Sequence, residues 1–444
     1  MAKIISIKGY EVLDSRGIPT VEVEVITENN VCACAMVPSG ASTGEKEAIE
    51  LRDNDKNYFH GKGVLKAINN INKIIAPKII NNFSVFEQEA IDNFMIELDG
   101  SKTKMNLGAN AILAVSMAVC KAAAKELKVP LYQYIGGVNK SILPVPMLNI
   151  INGGAHALNC IDFQEFMIVP IGFSDFKEAM RCACEVYYCL KDLLKKNNFS
   201  TNVGDEGGFA PNIEKIETVL DYLVEAIKTA GYYPSKTGKN AVAIALDVAA
   251  SELYNKDDQK YYFKKLGNFL NKDISFTTDE LIKYYETLIK NYPIISIEDP
   301  LDENDWNGFA KITKEIGKKV QIVGDDLFVT NIEYLEKGII NHSANAILIK
   351  LNQIGTVTET LKVIDLAKSN KWATIISHRS GETEDTFIAD LAVGTSAKQI
   401  KTGSCARSDR VAKYNRLLKI YYQNQEKKYL GICGCSFNNI SLKD

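Results

Sequence analysis

The feature of this chain that most constrains its fold is a series of short, β-branched runs in its second half, which alternate with longer helical patterns. After a first, wider gap, the runs recur about every 25 residues, the length of one strand–helix unit. This spacing predicts either a parallel α/β barrel or a doubly wound sheet. The five clearest runs occupy residues 242–246, 294–297, 320–323, 346–349 and 373–376.

The residues that end these runs carry chemically active groups. In a β/α barrel the C-terminal strand ends converge on one mouth, where active sites lie. One polar strand end indicates only that the chain has reached solvent. Six in succession, each able to bind a metal, transfer a proton or bind an anion, favour a functional pocket. They are Asp247, Glu298, Asp325 with Asp326, Lys350, the segment Ser377-His378-Arg379-Ser380 and, after a sixth, shorter run, Lys401.

Three of these groups, Asp247, Glu298 and Asp325, are carboxylates. At one mouth they would repel one another unless a cation neutralised them. Because the set offers oxygen ligands only, without Cys or His, the expected cation is hard, and Mg²⁺ fits best.

Arginine is scarce in this lysine-rich chain, with seven among its 52 basic residues. Since lysine would serve for surface charge, Arg379 at a strand end indicates a planar donor for phosphate or carboxylate. Arg407, Arg410 and Arg416 are expected in structural or subunit salt bridges instead.

The first third of the chain has a different pattern and predicts a separate α+β domain. Residues 20–26 alternate apolar and polar side chains, as a half-buried antiparallel strand does, with 32–37 as its partner. A Gly- and Pro-containing stretch near residue 137 marks the domain boundary. We therefore predict an N-terminal α+β domain at 1–136 and a C-terminal α/β domain at 137–444. Helices are expected at 63–80, 84–98 and 109–127.

Two glycine-rich segments are candidate binding loops. Residues 39–44, Ser-Gly-Ala-Ser-Thr-Gly, could close over an anion or help to hold a metal, although alone they suit a plain turn equally well. Residues 204–208 place two acids between glycines, so that Glu206 is either a general acid or part of a solvated turn. Neither segment matches the dinucleotide fingerprint or the P-loop.

Charge and apolar patterning exclude several classes of protein. The formal net charge of -3 does not suit nucleic acid or an anionic membrane surface. No signal-peptide run is visible, and no apolar stretch reaches the roughly 18 residues of a membrane span. We therefore expect a cytoplasmic protein.

The ten cysteines include three Cys-x-Cys pairs, whose side chains would share one face of a strand. With four histidines and no Cys-x2-Cys repeat, a zinc module is not expected, and we predict reduced, mostly buried thiols. The pairs are Cys32/Cys34, Cys182/Cys184 and Cys433/Cys435.

Several of these segments together resemble the signatures of the enolase family. The resemblance runs in order from about residue 4 to residue 420, and the combination of motifs is highly specific. It implies an N-terminal α+β capping domain and an eight-stranded, enolase-type barrel. The motifs are Asp14-Ser-Arg-Gly17, Pro38-Ser-Gly-Ala-Ser-Thr-Gly44, Asn152-Gly-Gly-Ala-His156, Gln164-Glu-Phe-Met167, Val203-Gly-Asp-Glu-Gly-Gly208, Leu348-Ile-Lys-Leu-Asn-Gln-Ile-Gly355 and Ser377-His-Arg-Ser-Gly-Glu382.

The resemblance implies a lyase, phosphopyruvate hydratase (EC 4.2.1.11), that interconverts 2-phosphoglycerate and phosphoenolpyruvate in glycolysis and gluconeogenesis. Two Mg²⁺ ions per active site are implied, one held by the three carboxylates already named and the second joined by Ser42. Lys350 matches the base that removes the C2 proton, and Glu206 matches the acid that assists loss of the C3 hydroxyl. The family also implies a homodimer or, in some members, an octamer.

The remaining matches concern the substrate. Glu165 matches an acid near the leaving group, and His156 matches a loop residue that closes on the substrate. The residues expected to contact the substrate are Gln164, His378, Arg379, Ser380, Lys401 and Ser42.

The departures from the family pattern spare these positions. Ile18, Cys405 and Lys419 replace the usual Asn, Pro and Arg, which leaves the dimer contacts open, and the tail from Gln423 has no assigned role. Two readings compete with an enolase. A racemase or cycloisomerase of the same superfamily would not need the 39–44 loop or the Arg379-Ser380 pair. A non-catalytic binding protein on the same scaffold would tolerate loss of Lys350 or Glu206, and both are present.

Overall fold

The computed structural model describes residues 2–40, 44–138, 142–423, 437 and 439–441. Its first part is a three-stranded antiparallel meander covered by helices, the predicted α+β arrangement. The elements are β1 (Ile4–Leu13), β2 (Pro19–Thr27), β3 (Cys32–Met36), α1 (Leu65–Asn70), α2 (Ala76–Ile79), α3 (Gln88–Asp99), α4 (Ala109–Glu126) and α5 (Leu131–Gly136). A π-helical turn, Ile71–Ile75, joins α1 to α2, and a 3₁₀ turn occupies Phe59–Gly61.

Period-two alternation places one face of the meander in the core. Val21, Val23 and Val25 of β2 are fully buried, whereas Glu22 and Glu24 point to the other, partly exposed face. The apolar face packs against α4, an alanine-rich helix whose small side chains allow close approach, and this helix is buried over almost its whole length.

The described residues of the second part form twelve strands. They are β4 (Val145–Asn152), β5 (Glu165–Val169), β6 (Tyr233–Pro234), β7 (Ala241–Asp247), β8 (Tyr254–Asn255), β9 (Lys260–Tyr262), β10 (Ser275–Phe276), β11 (Ile294–Glu298), β12 (Gln321–Gly324), β13 (Ala346–Ile349), β14 (Ala373–Ser377) and β15 (Lys398–Lys401). Eight of them pair in the order β4, β5, β7, β11, β12, β13, β14 and β15, and β15 pairs with β4. This closed ring confirms the barrel and excludes the doubly wound sheet.

Helices surround this barrel on its outer side. They are α6 (Phe176–Lys196), α7 (Ile216–Thr229), α8 (Lys264–Leu270), α9 (Thr278–Asn291), α10 (Trp306–Ile316), α11 (Ile332–Asn341), α12 (Leu351–Ile354), α13 (Val357–Ser369), α14 (Phe387–Gly394) and α15 (Ser408–Gln423), with 3₁₀ turns at Gly154–His156 and Ala250–Leu253. Strands such as β7, in which every residue is buried, read as continuous apolar runs because both faces are covered.

One strand departs from the all-parallel barrel that the repeat spacing predicts. β5 runs antiparallel to both β4 and β7. The connection from β4 to β5, residues 153–164, contains one 3₁₀ turn and no crossover helix, so the chain returns in the opposite direction. As a result the start of β5, at Glu165, lies at the same rim as the ends of the parallel strands, in register with Asp247.

The two parts meet along α3, α4 and α13. Asp92 of α3, which is fully buried, accepts hydrogen bonds from the Thr358 backbone N–H at 3.0 Å and the Thr358 hydroxyl at 2.6 Å. These bonds satisfy a donor in the first turn of α13 that the helix itself cannot satisfy. The predicted domain boundary at 136/137 falls where α5 ends, and it stays a prediction.

Among the described residues, no helix combines the length and the apolar character needed to cross a bilayer.

We predict that D92A lowers the free energy of unfolding by about 1–3 kcal/mol, because the buried donors of Thr358 lose their acceptor. Burial raises the pKa of Asp92, so D92N, which keeps one acceptor oxygen without the charge, should cost less. The matched control is E97A, which removes an exposed acid from the same helix. Equal thermal stability of D92A and E97A would contradict this account.

Candidate active site

The barrel mouth gathers polar side chains from all eight barrel strands or the residues next to them. Each parallel strand contributes through its C-terminal end and β5 through its N-terminal end, as the strand directions require. The lining residues of the pocket include His156, Gln164, Glu165, Glu206, Asp247, Asp325, Lys350, His378, Arg379, Ser380 and Lys401. The sequence-predicted residues that the structure describes therefore lie together.

Lys401 connects three of the acids. Its Nζ lies 2.8 Å from Asp247 Oδ2, 2.8 Å from Glu298 Oε1 and 3.3 Å from Glu165 Oε1. Burial lowers the pKa of this ammonium, but the surrounding carboxylates outweigh burial and raise its pKa well above the ordinary value. Lys401 is therefore a permanent positive charge at the centre of the site.

Lys350 holds the third predicted metal ligand. Its Nζ donates to Asp325 Oδ2, and Gln353 Nε2 donates to Asp325 Oδ1 at 2.9 Å. Burial lowers the pKa of Lys350, yet the contact with Asp325 overrides this, and the net shift is upward. Arg379 and Lys401, two nearby cations, act in the opposite direction and lower the Lys350 pKa. In this structure their effect on the Lys350 pKa is smaller than that of Asp325.

Asp247 and Asp325 lie near enough to Glu298 to raise its pKa, with Lys401 between Asp247 and Glu298 and Lys350 beside Asp325. Glu298 Oε2 is buried without a hydrogen-bond partner, and burial followed by repulsion from Asp247 raises the Glu298 pKa well above its usual range. An orphaned buried carboxylate oxygen beside two further carboxylates is a donor set that suits a hard divalent cation. The residues present therefore fit Mg²⁺, with Asp247, Glu298 and Asp325 as the holding groups.

A further carboxylate, that of Asp299, was not predicted from the sequence and lies beside Asp325. Asp299 has a left-handed backbone (φ 40°), and its carboxylate accepts the N–H groups of Asp325 and Asp326, each at 2.9 Å. Ligand oxygens of these three residues lie within 4.8 Å of one another. Burial raises the pKa of Asp326 to about 8. The positive φ of Asp299 is a strained backbone conformation, and it directs the carboxylate to the backbone N–H groups that follow β12.

Another side of the pocket holds two glutamates and a histidine. His156 Nδ1 lies 3.7 Å from Glu165 Oε1 and 3.7 Å from Glu206 Oε1. Burial, with repulsion from Glu206, raises the Glu165 pKa well above its usual range. For Glu206, His378 and His156 outweigh burial and hold the pKa well below it. Glu165 is therefore the more basic of the two carboxylates.

Local contacts fix the position of Glu206. Asn149, on β4, donates to Glu206 Oε2 at 2.9 Å, a contact that the sequence does not indicate. Gly207 is at φ +84°, and a Cβ there would lie 2.5 Å from the Ala406 carbonyl oxygen, so the loop after Glu206 requires glycine.

His378 is neutral and oriented. Arg410 donates to His378 Nδ1, which leaves the proton on Nε2, 3.4 Å from Glu206 Oε2. Burial is the main cause that lowers the His378 pKa to about 4. Arg410 also donates to the carbonyl oxygens of Arg379 and Ser380, so its role here is structural, as the sequence indicated.

Arg379 forms a buried ion pair that was not predicted. Its guanidinium donates to Glu47 at 2.8 and 3.2 Å and to Asn352 Oδ1 at 3.2 Å. Glu47 follows the 39–44 loop, so the pair links the N-terminal segment to the barrel mouth. Sequence spacing cannot reveal it, because the two residues are 332 positions apart.

The other predicted contact residues lie nearby. Ser380 Oγ is 3.3 Å from His156 Nε2, and Gln164 Nε2 donates to Asp247 Oδ2 at 3.2 Å. Ser42, predicted to join a second metal, lies outside the described residues.

A larger cavity, of about 660 Å³, lies elsewhere, next to residues 171–175 and 236–240. These segments adjoin the end of β5 and the start of β7, hence the opposite rim of the barrel. Its lining includes Arg181, which is paired with Glu178 and Glu185 on the exposed surface of α6. The convergent acids and lysines make the smaller pocket the candidate active site.

We predict that His378 stays neutral down to about pH 5 and titrates near pH 4, because burial disfavours the imidazolium. Below about pH 6.5 the unfolded chain binds a proton that native His378 does not, so this group costs stability as pH falls towards 4. Imidazole ¹⁵N shifts would measure the titration, with H378Q to assign the signal. A midpoint near 6.5 would contradict the burial argument.

Comparison with protein families agrees with this geometry. Residues 4–135 match the family model described as the enolase N-terminal domain, and residues 140–434 match the model described as the enolase C-terminal TIM barrel domain. The matches indicate a lyase-type enzyme of the enolase superfamily, whose members act on small molecules and bind Mg²⁺. The two matches cover nearly the entire sequence, and the chain therefore belongs to the enolase family.

Proposed function

We propose that this protein is an enolase in the strict sense, which reversibly dehydrates 2-phospho-D-glycerate to phosphoenolpyruvate (EC 4.2.1.11). The observation that carries the proposal is the division of the pocket into two sides. Lys350 lies beside Asp325 on one side, and Glu206 lies with His156 and His378 on the other, while Lys401 and Glu165 are in contact between them. A reaction that removes a proton at one carbon and a hydroxyl at the next needs such a division.

Proton removal is the task of Lys350. When the contact with Asp325 that raises its pKa is released, Lys350 acts as a neutral amine and accepts the C2 proton. Two electrons then move towards the substrate carboxylate, which gains negative charge. Lys401, a buried and permanent cation, stabilises that charge from a fixed position. The pairing of a lysine base with Mg²⁺ is already known of this superfamily and is not a finding of this structure.

Loss of the C3 hydroxyl is the task of the opposite side. A proton passes from the more basic Glu165 to Glu206, which delivers it to the departing oxygen, so that water leaves as the C2–C3 double bond forms. His378, held neutral by burial, places Nε2 3.4 Å from Glu206 Oε2, a position from which it would stabilise the carboxylate that remains.

Asp247, Glu298 and Asp325 would hold one Mg²⁺, and Ser42 would contribute to a second. When bound, the metal would supply positive charge next to the substrate carboxylate and compete with Lys350 and Lys401 for the acids. Gln164 orients Asp247 through its amide. Arg379 and Ser380 are assigned to the substrate phosphate, because a planar guanidinium beside a hydroxyl suits a tetrahedral anion.

The residues of the pocket distinguish the proposed dehydration from other activities known on this scaffold. A racemase or cycloisomerase would use the same barrel and metal acids, but Arg379 and Ser380 beside His156 favour a phosphate-bearing substrate. A non-catalytic scaffold would not retain a paired lysine base and a coupled glutamate pair in one pocket. We further propose a place in glycolysis and gluconeogenesis, a cytoplasmic location and a homodimer or octamer, on the strength of the family alone.

We predict that K350A removes both turnover and exchange of the C2 proton with solvent deuterium. E206Q should block turnover but leave C2 exchange measurable, because the carbanionic intermediate can still form and be reprotonated. Each residue is worth about 10²–10⁴ in rate. Deuterium incorporation into 2-phosphoglycerate, read by mass spectrometry, separates the steps. If K350A exchanged at the wild-type rate and E206Q did not, the two roles would be reversed.

We predict that R379K raises KM for 2-phosphoglycerate about 10–100-fold, because lysine cannot present two parallel N–H donors to phosphate. The matched control is R181K, on the exposed surface of α6, which should leave KM unchanged. Steady-state kinetics at saturating Mg²⁺ would measure both. An R379K variant with the wild-type KM would refute the phosphate assignment.

A further inference from the structure

The outer face of the N-terminal meander carries two thiols and a carboxylate at metal-ligand spacing. Cys32 and Cys34 alternate along β3, so both side chains leave the same face, and Glu24 of β2 is in register with Cys34. The Cys32 thiol donates to Glu24 Oε2 at 3.5 Å. One ligand atom from each of the three residues lies within 4.8 Å of the other two. Cys32 is exposed, and Cys34 and Glu24 are partly exposed.

We propose that Glu24, Cys32 and Cys34 bind a borderline-soft divalent cation of the Zn²⁺ class at the surface of the N-terminal domain. Donors at about 2.3 Å from a tetrahedral metal are about 3.8 Å apart, so each group needs to move less than an ångström. Two thiolates and a carboxylate are a known type of zinc donor set, with a fourth position left for water. This site is separate from the barrel mouth and from its oxygen ligands.

The surroundings hold the site in place. β3 is an edge strand, and two lysines of α4 bind carbonyl groups on its free edge. Lys125 Nζ donates to Cys32 O at 2.7 Å, and Lys121 Nζ donates to Cys34 O at 3.1 Å. Lys8, in register with Glu24 on the same face, has its Nζ 5.0 Å from the Tyr10 ring centroid. The backbone under the two thiols is therefore fixed before a cation arrives.

The electrostatics at this face also favour a cation. Burial, Cys32, Glu22 and Glu24 together raise the pKa of the Cys34 thiol to about 11. Apart from burial, Glu22 and Glu24 give this face a negative potential, which attracts a divalent ion that then replaces the thiol protons. Binding converts one M²⁺ and two thiols into a dithiolate complex and releases two protons, without change of oxidation state. Affinity should accordingly rise with pH.

Comparison with the second Cys-x-Cys pair shows that the β-strand is what brings the thiols of Cys32 and Cys34 to one face. Cys182 and Cys184 lie on α6, where residues two apart do not share a face. Cys182 is fully buried, while Cys184 is only partly so. The third pair, Cys433 and Cys435, lies outside the described residues. It is the obvious competing source of thiolates, so the experiment has to separate it.

The test is a Cd²⁺ titration of the full-length, phosphine-reduced protein in saturating Mg²⁺, followed by thiolate-to-Cd²⁺ charge-transfer absorbance. Oxygen ligands at the barrel mouth do not give this band. We expect the wild type to bind one equivalent of Cd²⁺, which Zn²⁺ displaces. Binding of this Cd²⁺ should be retained in C433S/C435S and lost in C32S/C34S. Circular dichroism would check that the serine variants fold. An unchanged band in C32S/C34S, or failure of Zn²⁺ to displace Cd²⁺, would overturn the proposal.

A charge-matched pair tests the carboxylate. E24Q removes a ligand, whereas E22Q removes the same charge from the same face of β2. We expect E24Q to weaken Cd²⁺ binding about tenfold or more relative to E22Q. Equal effects of the two variants would overturn ligation by Glu24 and leave only a general attraction of the face for cations.

Discussion

The structure of this protein depends on one electrostatic arrangement, the placement of buried ammonium groups among buried carboxylates at the barrel mouth. A single residue, Lys401, contacts three carboxylates, those of Asp247, Glu298 and Glu165. Burying a charge costs several kcal/mol unless partners compensate it, and removing one partner leaves the others unpaired. The same pocket distinguishes its two glutamates, because the histidines lower the pKa of Glu206 whereas burial and repulsion raise that of Glu165. A fold that only buried apolar surface would not need these groups.

The reversed strand β5 is the topological device that completes the site. Because the chain returns after β4 without a crossover helix, the loop at residues 153–164 and the start of β5 both lie at the active rim. This brings His156 and Glu165 to the side of the pocket opposite Lys350. An all-parallel barrel would place the first residue of this strand at the far rim, some five residues or about 16 Å away.

The sequence predicted much of this, and its failures have physical causes. Strand-end residues such as Asp247 and Lys350 were predictable because parallel strands bring their ends to one rim. β4 and β5 were missed, since a reversed hairpin breaks the repeat. The Glu47–Arg379 pair and the carboxylate of Asp299 under Asp325 depend on contacts between distant segments or on a strained φ, which no local pattern encodes. The expectation of mostly buried thiols was wrong for the described cysteines, because Cys32 is exposed and four others are partly exposed. Cys182 and Cys184 proved helical, so their shared face was also wrong.

The central claim is that the acids of the barrel mouth hold a metal without which 2-phosphoglycerate is not dehydrated. The most direct measurement is the absorbance of phosphoenolpyruvate formed by the metal-stripped protein, before and after Mg²⁺ is restored. The account predicts no turnover in excess chelator and full recovery with Mg²⁺, and little recovery in E298Q, which lacks one of the holding carboxylates. Full turnover in chelator, with the metal content shown to be nil, would contradict it.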